Sequence, residues 1–227
     1  MNLRSISLSL AAIALLAVPS RAADTDLDKV LRQMDAASAS FQSAQADFKW
    51  DLYERVVKET TSQSGTISFL RKASLTQMAA HILKPSEKTL VYKDGGLQIY
   101  ESRIDQLTLL SAGKNQAQYE SFLTLGFGGS GKDLASAWTI TYGGEETIDG
   151  VHTAKLDLVS KQQSVRDMFS HITVWIDPAR GISLRQHFYT PSGDERTAFY
   201  TNVHSPAKID PKVFVIATTK KTVVKRP

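Results

Sequence analysis

The chain contains no cysteine. It therefore has no disulfide framework. It also lacks the cysteine at the cleavage site through which a bacterial lipoprotein carries its lipid. Charge of either sign is barely in excess, with 27 basic and 23 acidic side chains. A nucleic-acid partner requires a clustered basic footprint. The only cluster is Lys220-Lys221 with Lys225-Arg226, which reads as a solvated tail, so no nucleic-acid partner is expected. None of the five histidines, His81, His152, His171, His187 and His204, lies three to five residues from another. That removes the short metal-ligand pair. No Gly-x-Ser-x-Gly elbow occurs either. No catalytic residue, metal or cofactor is implied.

Apolar runs are scarce as well. The one candidate is Ile6 to Val18, which is short for a membrane span. It follows Arg4, is broken by Pro19, and precedes Ser20-Arg21-Ala22. A charged start, a short apolar centre and a small-x-small site predict a cleavable export signal over 1–22. Its removal takes away Arg4 and Arg21 but no acid, so the formal charge falls from +4 to about +2. The remaining residues, 23–227, are expected to form one soluble periplasmic domain, large enough to bury a sizeable core or to hold an apolar cavity.

What the sequence does contain is period. Leu27, Val30, Leu31, Met34, Ala37 and Phe41 recur at helical spacing. Thr25 with Asp28 predicts a capping box at the start of that helix. From Phe48 onward the period becomes two. Alternating runs include Phe48/Trp50/Leu52, Ile67/Phe69, Leu97/Ile99, Leu107/Leu109, Trp138/Ile140/Tyr142, Ile172/Val174/Ile176 and Leu184/Gln186/Phe188. These predict strands with one wet and one buried face. Turn sequences such as Asp94-Gly95-Gly96, Asp149-Gly150 and Pro191-Ser192-Gly193-Asp194 separate them. Short connections imply an antiparallel meander. Only Ala117 to Ala137 departs from this rhythm, predicting two short helices around a flexible glycine loop, Gly126 to Gly131.

That loop, read on through Lys132-Asp133, stops one residue short of a phosphate-binding loop. Asp133 replaces the hydroxyl residue that would hold magnesium, and no parallel βαβ context surrounds it. Asp133 is expected instead to cap a helix over Leu134–Trp138. A second irregularity is Arg71. If Ile67 and Phe69 face inward, Arg71 does too, and a lone inward arginine is costly unless hydrogen-bonded. Either the strand has ended or bulged by then, or Arg71 reaches a lid segment and latches it.

The order of these parts resembles the LolA-type periplasmic outer-membrane lipoprotein carriers and the wider family of lipoprotein-sorting proteins. The carrying segments are the opening helix with Phe41 and Phe48, Gly65 to Arg71, Leu90 to Gly95, Gly150 to Lys161, Phe169 to Asp177, Phe199 to Val203 and Ile209 to Phe214. The resemblance implies an α+β fold of mainly β type: an incomplete antiparallel β-barrel with a helical lid over an apolar cavity. It implies a non-enzymatic carrier, expected as a monomer, that takes lipoprotein acyl chains from an inner-membrane exporter to an outer-membrane acceptor. Under it, the cavity residues are Trp50, Leu52, Ile67, Phe69, Met78, Ile99, Leu107, Leu109, Trp138 and Phe188. The lid contributes Phe122, Leu123, Phe127 and Leu134, and Arg71 is the latch. Two other readings stand beside it. One is an envelope domain of the same fold that senses lipid or binds a partner. The other is an exported lipid hydrolase, which requires a serine and a histidine within hydrogen-bond reach at the cavity mouth.

Overall fold

The computed structural model describes residues 25–72, 75–111, 113 and 125–226. The expected signal at 1–22 lies outside the described residues, as do Phe122 and Leu123.

Helix α1 spans Asp26–Ser40. Its start is the expected capping box: the Thr25 hydroxyl accepts from the Asp28 backbone, and the Asp28 carboxylate accepts from the Thr25 N–H. Two orphan donors of the first turn are thereby satisfied. The helix buries Val30, Met34 and Ala37, and it ends at Phe41, which is itself buried.

The strands are β1 (Ser43–Glu54), β2 (Glu59–Lys72), β3 (Leu75–Lys84), β4 (Lys88–Lys93), β5 (Gly96–Glu101), β6 (Gln106–Ser111), β7 (Trp138–Ile148), β8 (Val151–Ser160), β9 (His171–Asp177), β10 (Ile182–Tyr189), β11 (Glu195–His204) and β12 (Val223–Lys225). Short helices α2 (Gly131–Ala137) and α3 (Gln163–Arg166) interrupt them. All twelve strands join one sheet in the order β12-β6-β5-β4-β3-β2-β1-β11-β10-β9-β8-β7. The two ends of that order do not pair, so the barrel is incomplete, as expected. Two antiparallel meanders, β1–β6 and β7–β11, are fused where β1 pairs with β11.

The interior has two differently filled halves. Over β7–β9, the inward side chains of α1 and α2 pack with Trp138, Leu156, Leu158, Ile172, Val174 and Ile176. Over β1–β4 and β11, a second cluster gathers Phe48, Ile67, Phe69, Met78 and Tyr200 around Phe127. The outer surface of β3 and β4 has its own small cluster, where Phe214 of the C-terminal segment covers Ala79 and Val91.

That segment continues to β12, which adds to the edge of β6 in parallel. Asp105 holds it: its carboxylate accepts from the hydroxyls of Thr222, Tyr100 and Thr219, and its carbonyl accepts from the Val223 N–H. The Thr222 bond is the main reason that the Asp105 carboxyl titrates below its ordinary 3.8. A carboxyl depressed in the folded state stabilises above its unfolded value, and the contribution disappears as pH falls through the folded one. Amide protection factors at Val223 and Val224 should therefore drop as the pH falls below about 4. Asp105→Asn should remove the pH dependence; an unchanged profile in that variant would refute the assignment.

Candidate functional site

The hollow follows from strand parity. Pairing registers place Ala46, Ile67, Ala80 and Leu90 in one inward row, and Ala44, Phe69, Met78 and Tyr92 in the next. Across the fused seam, Trp50, Ala198 and Gln186 form one row, and Leu52, Arg196 and Phe188 another. Helix α1 occupies the β7–β9 side of this surface and leaves the β1–β3 and β10–β11 side uncovered. A cavity of about 480 Å³ results. Buried Ile67, Phe69, Met78, Phe127, Ala198 and Tyr200 line its depth, and half-buried Trp50, Leu52, Phe169 and Phe188 stand nearer its mouth. The Phe48 and Trp50 rings stack at 4.1 Å.

Phe127 forms the floor. Its ring stacks on Phe69 at 4.0 Å and meets Tyr200 edge-on at 4.9 Å. The loop that carries it, expected from its glycines to be flexible, is held by hydrogen bonds to β10 and to the turn before it. Gly126 O accepts from Ser183 N, Gly128 N donates to Gly181 O, and Leu125 O accepts from the Gln186 side chain. The Tyr200 hydroxyl in turn donates to Gln186 Oε1, and burial pushes Tyr200 well above its ordinary pKa. Gly128 has φ +78°, and a side chain there would collide with the Phe41 ring. The glycines thus serve close approach and positive φ.

Arg71 closes the arrangement from the end of β2. The strand runs to Lys72, so the alternation does carry Arg71 inward. Its Nη1 donates to Ser38 O of α1 at 2.6 Å and its Nη2 to Gly128 O. The Ser38 hydroxyl shares that second carbonyl at 2.7 Å. The guanidinium lies 5.2 Å from the Phe41 ring centroid. Burial lowers the Arg71 pKa, with the Asp133 carboxylate opposing the shift. One side chain therefore ties strand, helix and loop together.

Several expected positions differ. Asp133 is not the cap of α2: Ser130 is, and Asp133 returns the bond from the third position. Leu134 packs beneath α1, in the cluster with Val30, Met34 and Trp138, instead of facing the hollow. Trp138 is inward but lies in the half that α1 fills. Ile99 is in register with Leu90 yet outside the hollow's lining. Leu107 and Leu109 face the other way, since Leu109 is in register with Gln98 and Val91 on the outer surface. The physical reason is parity: Leu107, Leu109 and Leu110 are all apolar, and only pairing decides which of them points inward. Among the residues missed, Leu90 and Tyr200 stand beside apolar Val91 and Phe199, where period does not choose a face. Leu125 and Phe169 lie in connections, where period carries no signal.

One serine–histidine pair exists among the described residues, Ser170 Oγ to His171 Nδ1 at 3.2 Å. The Ser170 hydroxyl also lies 3.1 Å from Tyr189 O, and His171 stacks on Tyr189. His171 alternates with inward Ile172, so its ring faces away from the hollow, and no carboxylate bonds to it. Among the described residues, no serine–histidine pair of the kind the hydrolase reading requires stands at the mouth. No helix among the described residues is long and apolar enough to cross a membrane.

No family model matches the sequence, and no curated protein does. Solved structures do match. An uncharacterized conserved protein from Thermus thermophilus is 14% identical over 89% of this chain and 100% of that chain, with a TM-score of 0.57. MucB is 15% identical over 88% of this chain and 66% of that chain, with a TM-score of 0.56. In fold, the chain is similar to MucB. The MucA/MucB complex of Pseudomonas aeruginosa gives a TM-score of 0.53, at 17% identity over 85% of this chain and 62% of that chain. This chain thus spans just under two thirds of the MucB chains it matches. LolA superfamily protein NE2245 from Nitrosomonas europaea is also matched, at 13% identity over 85% of this chain and 99% of that chain, with a TM-score of 0.41.

Proposed function

We propose that the protein is an exported, non-enzymatic binder of acyl chains, and that it carries lipoproteins through the periplasm between an inner-membrane exporter and an outer-membrane acceptor. The observation that supports this reading is the hollow itself. Its volume of about 480 Å³ lies within the roughly 300–1,000 Å³ typical of ligand sites, and its walls are mainly aromatic and aliphatic. A tail of about sixteen carbons exposed to water costs on the order of 12 kcal/mol, at about 0.8 kcal/mol per methylene. Crossing water therefore requires a cover, and such a cover must also open. Arg71, with its few hydrogen bonds to α1 and the Phe127 loop, is suited to hold one that opens.

Mass spectrometry of organic extracts from protein purified without detergent tests the reading. Co-purified acyl chains are the expected result; repeated lipid-free preparations that also fail to take up lipid would end it. The likeness to MucB, which forms a complex with MucA, favours a second reading: a lipid-responsive envelope domain that binds a protein partner. A carrier releases lipoproteins from inner-membrane vesicles into solution, whereas a sensor binds without releasing them.

A further inference from the structure

The mouth of the hollow carries a charge that an acyl chain alone leaves unused. Arg196 occupies an inward position of β11, in register with Leu52 on one side and Phe188 on the other. Alternation would place an apolar side chain there. Arg196 lines the hollow, and its guanidinium lies 5.9 Å from the ring centroid of Phe169, another lining residue. Among the described residues, none makes a hydrogen bond or ion pair with that guanidinium.

The neighbouring acids are already engaged. Asp51, the other charged lining residue, accepts from Lys49 Nζ at 2.8 Å and from Ser62 Oγ at 2.6 Å. Asp194, whose carboxyl feels the Arg196 charge, accepts from the Arg55 N–H at 2.9 Å and from Ser192 Oγ at 2.8 Å. Among the described residues, the charge at the mouth that lacks a hydrogen-bonded partner is therefore a cation, and guanidinium matches the planar oxygens of a carboxylate or phosphate.

We propose that Arg196 anchors the anionic head of an amphiphile whose acyl tail enters the hollow. This rests on the acyl-chain reading of the hollow and adds to it the charge of the head.

The test is displacement of a fluorescent acyl probe from the purified protein by palmitate, lysophosphatidylglycerol and hexadecanol. Palmitate or the lysophospholipid should bind about tenfold more tightly than hexadecanol, the advantage of one charge-assisted hydrogen bond. Which of the two binds better tells carboxylate from phosphate. Arg196→Gln should lose that tenfold and keep hexadecanol affinity, whereas Arg196→Lys should retain most of it. Equal binding of the three ligands by the wild type would overturn the role of Arg196 and leave the hollow's reading standing. So would an Arg196→Gln variant that loses hexadecanol equally. Failure of all three to displace the probe would overturn both.

Discussion

Phe127→Ala should destabilise the protein by about 3–5 kcal/mol, the range for truncating a buried phenylalanine, and should deepen the hollow. Phe127 is 1% exposed and touches both Phe69 and Tyr200, so its removal leaves those rings facing empty space. The cavity term adds to the lost transfer term because the loop cannot collapse: Gly126 and Gly128 are pinned by main-chain bonds to Ser183 and Gly181. Chemical denaturation measures the first effect. The second is measured by the longest acyl chain that binds without loss of affinity, which should increase. Phe127→Leu should recover much of the stability. A denaturation midpoint unchanged by the alanine would mean that the ring does not form the floor.

Arg71→Leu should cost about 2–3 kcal/mol, the scale of hydrogen bonds made by a charged group. Two carbonyls lose a donor. Gly128 O keeps the Ser38 hydroxyl, whereas Ser38 O loses its guanidinium partner. The loss should be local. Amide protection should fall across Gly126–Ser130 and the last turn of α1, and remain at its wild-type level in β8 and β9, whose bonds are made elsewhere. Dissociation of a bound acyl probe should accelerate. Arg71→Lys should rescue poorly, because one ammonium cannot present the planar fork that spans two elements. Wild-type protection and release rates in the leucine variant would rule out a latch.

The two variants probe different levels at which the sequence was legible. Arg71 was visible because alternation from Ile67 and Phe69 carried it inward, and a buried guanidinium demands acceptors. What it would meet was not visible, since Ser38 and Gly128 lie 33 and 57 residues away. Phe127 sat in a glycine-rich stretch that read as mobile. Glycine permits many conformations, and only neighbours select one. Here the neighbours are Phe41, packed against Gly128, and Ser183 and Gly181, which bond to the loop. Leu107 and Leu109 were placed on the wrong face because alternation shows that two residues share a face and not which face is inward. Trp138 was given the right face but the wrong half, because the position of α1 across the sheet is not encoded in either element's period.

The sequence by itself determined the helix and its cap, the alternating strands, their turns and the meander that follows from short connections. Each of these is a local matter, set by side-chain period and by which residues tolerate a turn. Only the tertiary structure decided that β1 pairs with β11 across some 150 residues, that α1 fills one half of the interior, and that the other half stays hollow. Vacant space is a property of how elements meet: an inward row of Ile67, Phe69, Trp50 and Phe188 has the same spelling whether it packs on a helix or surrounds a cavity.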